Sequence, residues 1–103
     1  MNMEQIERIS QMECNLSRAS QAVMRLSAAL DDYVEAQDAI RQLSEYYGSD
    51  EWKQDYAADD GGLLPKDLKR GVLSEDAVWN LLSDCGELNA RLKDIADNNN
   101  EDV

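Results

Sequence analysis

Three carboxylates, Asp31, Glu35 and Asp38, stand at i, i+4 and i+7, and this is the first group in the sequence whose spacing could do chemistry. On a helix they share one face, where they could hold a hard cation or divide a proton between them. A calcium ion takes about six or more oxygens, and no neighbouring residues supply the rest, so the pattern reads as a solvated acidic face. The stretches from Asp55 and from Asp97 superficially resemble calcium loops, but each lacks the sixth-position Gly and the closing Glu. Histidine is absent, and the two cysteines, Cys14 and Cys85, stand 71 residues apart. A structural zinc site needs about four nitrogen or sulfur ligands in close-spaced pairs, and a cysteine nucleophile needs a base to hold its thiolate. Neither set of residues is here. Paired carboxylates work as acid and base only inside a pocket, which a chain this small has little volume to form. The expectation is a protein that is not an enzyme and has no cofactor and no metal. Cys85 falls on an apolar repeat and reads as a core residue; a Cys14–Cys85 disulfide stays open at the level of sequence, with a reducing compartment the better expectation.

The aromatic and basic residues carry more. Four of the six aromatics, Tyr46, Tyr47, Trp52 and Tyr56, lie within eleven residues around Gly48. They either cap a hydrophobic core where two helices meet or form an anchor for a partner, since Tyr and Trp dominate interface hot spots. The run Lys66, Asp67, Leu68, Lys69, Arg70 reads as the only basic spot. It is expected to neutralise acids such as Glu75 and Asp76, or else to dock an acidic ligand.

These residues sit in a chain of 103 with 22 Asp plus Glu, 10 Lys plus Arg and a net charge of −12. By segment the balance is −4 over residues 1–47, −4 over 48–62, +2 over 63–73 and −6 over 74–103. A chain this acidic, with pI near 4.1, is not expected to bind nucleic acid directly, because phosphate contacts need clustered Lys and Arg. At 43% hydrophobic residues it can fold. No apolar run approaches the roughly 18 residues of a membrane span, and no secretory leader pattern opens the chain. With 5 Gly and 1 Pro it has too few turn residues for a sandwich of short strands.

From Met1 to Tyr47 there is neither Gly nor Pro. Apolar residues alternate by three and four at Ile9, Met12, Leu16, Ala19, Val23, Leu26, Leu30 and Tyr33, then, past Gln37, Ile40 and, past Ser44, Tyr47. Sustained over several heptads, that spacing describes a coiled-coil-like seam, and flanking Ile6, Ala22, Ala29 and Val34 widen it toward a bundle. The weak point is Cys14 to Ser17, where the helix could break near Asn15. Gly48 is a stop and Ser49 an N-cap for a second helix over residues 50–59, ended by Gly61 and Gly62. A single turn follows at residues 65–70, with Gly71 as its stop. Ser74 opens the last helix, with Leu73 placed to staple onto Val78. There Val78, Leu81, Cys85, Leu88, Leu92 and Ile95 repeat the three-four spacing. The architecture read from sequence is all-α, a long N-terminal helix packed on a C-terminal helix, with one or two short helices between, as a helical bundle or coiled-coil-like domain. Residues 1–96 form the single domain and residues 97–103 a disordered acidic tail.

The run Leu43-Ser44-Glu45-Tyr46-Tyr47-Gly48-Ser49-Asp50-Glu51-Trp52, followed by Leu64-Pro65-Lys66-Asp67-Leu68-Lys69-Arg70-Gly71-Val72-Leu73-Ser74-Glu75-Asp76, resembles an uncharacterised bacterial family, domain of unknown function 4298. The resemblance covers nearly the whole chain and is sharpest over residues 43–76. It implies a small bacterial or mobile-element protein, transfers no catalytic or binding residue, and leaves function to the residues themselves.

Two functions follow as expectations. The first is a cytoplasmic helical interaction module with a protein partner of unknown identity, self-associating as a homodimer. A last helix of roughly 22 residues can cover only half of a first helix of about 45, leaving Ile9, Met12, Leu16, Ala19 and Val23 open. Two copies would bury these stripes against each other. The alternative is an acidic decoy that imitates the phosphate ladder and occupies a basic site on a partner, binding that moderate salt would weaken steeply.

Overall fold

The computed structural model describes residues 2–101, with side chains described for residues 2–99. Of these residues 83% are helical, in three α-helices and a 3-10 turn, with no strand among the described residues. The order is α1 (Met3–Tyr46), α2 (Asp50–Asp60), a 3-10 turn (Gly71–Leu73) and α3 (Ala77–Glu101). An all-α chain with long N-terminal and C-terminal helices and short helical elements between them is what the periodicity dictates.

Helix α1 runs for 44 residues without interruption, so the low-propensity stretch at Asn15 does not break it. A few tenths of a kcal/mol of unfavourable propensity per residue is small beside the hydrogen bond each added residue gains. Asn2 Oδ1 caps the start, accepting the Gln5 amide at 2.7 Å. Gly48, at φ +80°, ends it by turning the chain through the left-handed region that a Cβ disfavours. Ser49 then opens α2: its backbone is extended and its Oγ accepts the Trp52 amide at 3.1 Å, while Asp50 and Glu51 stand at the positive end of the helix. Gly61 caps the far end and Gly62, at φ +71°, redirects the chain.

Two readings of the connection are corrected. The turn begins as expected, with the Leu68 amide donating to the Pro65 carbonyl at 3.2 Å, but Gly71 does not stop it. Gly71 has no positive φ and instead opens the 3-10 turn. At the other end α3 continues through Asp97 to Glu101, where the sequence suggested a disordered tail; residues 102 and 103 lie outside the described residues. Each residue added to an existing helix needs only one hydrogen bond, so polar residues extend it without a core.

The chain divides into two compact units, one through Gln37 and one from Asp38 onward. The first is helix alone, and almost every side chain on it is exposed. In the second, α2 and α3 both pack on the 3-10 turn. Its centre is Leu73 and Val78, the two buried apolar residues among those described, at 5% and 3% exposure. They flank Ser74, whose Oγ accepts the amide of Ala77, the first residue of α3, at 3.2 Å. The face of α3 that is covered carries Val78, Leu82, Cys85 and Leu92. Leu81, Leu88 and Ile95, assigned to the same seam by spacing, are exposed at 37%, 38% and 52%. The apolar stripe of α3 is therefore wider than the chain itself covers.

Candidate functional site

The structure brings Tyr47, Trp52 and Tyr56 together as a ring stack in the second unit. The Trp52 ring meets Tyr47 edge-on with centroids 5.3 Å apart at 70°, and lies over Tyr56 at 5.3 Å and 24°. Both are geometries that the ring quadrupoles favour. Every ring with a polar atom in this group is tied down. Trp52 Nε1 donates to the Val72 carbonyl at 3.1 Å, Tyr47 Oη to the Glu75 carbonyl at 3.1 Å, and Tyr56 Oη to Glu75 Oε1 at 3.0 Å. Tyr46 Oη donates to Asp55 Oδ2, joining the last turn of α1 to α2. The four aromatics are half-buried and fasten the end of α1 and α2 to the segment from Val72 to Glu75. They cap a core where helices meet, and their polar atoms are already committed.

Two of the phenols are made weaker acids by these bonds. The Tyr46 hydroxyl is pushed up to about 12, chiefly by its hydrogen bond to Asp55 and then by partial burial and the nearby acidic charge. Tyr56 is raised by its hydrogen bond to Glu75 and by that carboxylate's charge. A phenol held this way is a donor at neutral pH, not a nucleophile or a base.

The basic segment divides. Arg70 is partly buried and pairs with Asp59 of α2 at 2.9 Å, not with Glu75 or Asp76 as its position suggested. Glu75 instead takes the Tyr56 hydroxyl. Lys66 and Lys69 are exposed and make no ion pair among the described residues. Beside the aromatics an open depression of 460 Å³ is lined by Gln42, Glu45, Tyr46, Ser49, Asp50 and Glu51. Its polar groups are largely spoken for: Glu45 pairs with Arg41 at 3.1 Å, Ser49 caps α2 and Tyr46 holds Asp55. Among the described residues no group of three or more His, Cys, Asp or Glu is placed to hold a metal ion. Asp38 is engaged with Arg41 and Gln42, and both cysteines are free, Cys14 exposed and Cys85 half-buried.

The remaining candidate is the α1 stripe in the first unit. Ile9, Met12, Leu16 and Val23 are 47%, 55%, 62% and 67% exposed, and Ala19 is exposed with them. Nothing within their own unit covers them. Sequence spacing placed these residues on one stripe of the helix, and their side chains are exposed. It did not separate the covered from the open side of α3, because a three-four repeat gives the width of a stripe and not the part of it that meets a neighbour. It also missed the carbonyl acceptors on Val72 and Glu75, for which no sequence signal exists.

No curated protein matches the chain. A family model does match it, described as Domain of unknown function (DUF4298), over residues 9–95, a span that begins with Ile9 of the open α1 stripe and ends with Ile95 of α3. With the match covering most of its length, the chain belongs to this family of domains of unknown function.

Proposed function

We propose that this chain acts through protein contacts and associates with itself, a second copy covering the α1 stripe at Ile9, Met12, Leu16, Ala19 and Val23. The observation that carries this reading is the exposure of that stripe on an unbroken helix. Single exposed apolar residues are ordinary on a protein surface, but a continuous row of them at heptad spacing is a larger patch than soluble monomers usually carry. A two-fold pair forms the same contact twice and closes the assembly at a dimer.

The aromatic group supports this reading in a different way. The polar atoms of Tyr46, Tyr47, Trp52 and Tyr56 are engaged in internal bonds, whereas the apolar side chains on the helix faces are open. The acidic-decoy reading needs an unbroken run of negative charge along a rigid body, and Arg8, Arg18 and Arg25 interrupt any such run on α1. Sedimentation equilibrium tests the proposal directly. At tens of micromolar the chain is expected to sediment at twice its mass of 11.6 kDa, and a single species at the monomer mass would overturn it.

A further inference from the structure

Between Arg8 and Leu30 the charged residues are Arg8, Glu13, Arg18 and Arg25, so a chain of net charge −12 carries a segment of net +2. This segment coincides with the open stripe, which makes Lys66–Arg70 one of two basic spots. In the heptad frame of the stripe, with Ile9 at a and Met12 at d, Arg8 is at g and Arg18 and Arg25 are at c. All three lie along one flank, while Glu13, at e, lies along the other. None of the three arginines makes an ion pair among the described residues.

The uncovered side of α3 has the opposite charge. Leu81, Leu88 and Ile95 are exposed at d positions, and Asp84, Glu87 and Asp94 lie on their g/c flank, with Arg91 the one base among them. The two stripes share a register. On α1, Arg18 precedes Ala19 and Arg25 precedes Leu26; on α3, Glu87 precedes Leu88 and Asp94 precedes Ile95. Each pair repeats after seven residues, or about 10.5 Å of helix. Two helices packed face to face and antiparallel bring like flanks opposite each other, g and c against g and c. In the register that centres the stripe, an antiparallel pair of α1 stripes would set Arg18 against Arg25 in both directions. An α1 stripe on an α3 stripe sets Arg18 opposite Asp94 and Arg25 opposite Glu87, and closes Ala19 and Leu26 over Ile95 and Leu88.

Resting on the self-association proposed above, we infer that the surface covering α1 is not the same stripe of the second copy but its α3, through Leu81, Leu88 and Ile95, packed antiparallel with the arginine flank on the acidic flank. The contact is mutual: each copy offers one α1 and one α3, so a two-fold pair covers both exposed stripes at once. Apolar burial holds the pair together, and charge selects which face meets which.

The test exchanges the charges. One variant carries Arg18→Glu with Arg25→Glu, the other Glu87→Lys with Asp94→Lys; all four positions are exposed, and helicity by circular dichroism serves as the check on folding. Alone, each variant places like charges across both contacts of its dimer and is expected to associate at least about ten-fold more weakly than the parent chain. Mixed in equal amounts the two are expected to recover a dimer by sedimentation, because every contact again joins opposite charges. A single chain carrying all four changes is expected to recover as well. A parent chain that dimerises while the Arg18→Glu, Arg25→Glu variant dimerises equally well, or a mixture that stays monomeric, overturns the α1-on-α3 contact and leaves self-association standing. A monomeric parent chain overturns both.

Discussion

Trp52 concentrates several of the second unit's connections: its amide closes the Ser49 cap, its ring meets Tyr47 edge-on and stacks on Tyr56, and its Nε1 reaches Val72. Trp52→Phe keeps a ring in place and removes one hydrogen bond, so a loss of about 1 kcal/mol is expected in chemical denaturation, and a variant as stable as the parent would show that the Val72 contact contributes nothing. Ser49→Ala, which removes the cap, should cost a similar amount, about 1 kcal/mol. The phenols give a pH signature. Tyr46 titrates at about 12 in the folded chain against an unfolded value of 10.0, and Tyr56 is shifted in the same direction. A group whose pKa is raised by folding stabilises the fold fully below its unfolded value, and that contribution is lost as pH rises through the folded value. The melting temperature should therefore hold up to about pH 10 and fall between about 10 and 12 as phenolates form beside Asp55 and Glu75. Asp55→Asn removes the main cause of the Tyr46 shift, so the tyrosinate absorbance of that variant should develop at lower pH than in the parent; an unchanged titration would place the cause elsewhere.

At the scale of elements, α3 shows how one helix can serve two surfaces. Val78 is buried beside the 3-10 turn while Leu81, one turn along, is more than a third exposed. Val78→Asp would bury an unpaired carboxylate, at a cost of several kcal/mol, and is expected to unfold the second unit. Leu81→Asp, which the uniform three-four repeat would rank equally, is expected to leave the helix content nearly intact and to act on association instead. Melting curves of the two variants separate these outcomes, and equal loss of stability would show that Leu81 belongs to the core. This is also where the legibility of the sequence ends. Gly48, Ser49 and Ser74 declared their roles because a left-handed turn and a side-chain cap each need a particular residue type. The length of α1 was legible because neither Gly nor Pro lies between Asn2 and Tyr47, although the low-propensity stretch at Asn15 left a break open. Gly71 misled because a glycine permits a positive φ without requiring one. The Tyr46–Asp55 and Tyr56–Glu75 bonds were illegible because they depend on where α2 settles, which no local pattern encodes.

For the whole molecule, the open stripe on α1 raises the question of what keeps its residues helical. An isolated helix gains little beyond its own hydrogen bonds and is marginal in water, and α1 has no buried side chain anywhere along its described length. Its N-terminal half should therefore draw stability from whatever covers it. If the cover is a second copy, that stability is linked to concentration by mass action, whereas the unit built on Leu73 and Val78 carries its own core. Amide hydrogen exchange reads both at once. Amides from Ile9 to Leu26 are expected to exchange faster as the protein is diluted by about a hundred-fold, while those around Trp52 and Val78 keep their rates. The double variant Ile9→Lys with Leu16→Lys should show the fast rates at every concentration, because two charges at a positions cannot be buried without a partner. Protection from Ile9 to Leu26 that is slow and insensitive to dilution in the parent chain would mean that the helix stands without a second copy.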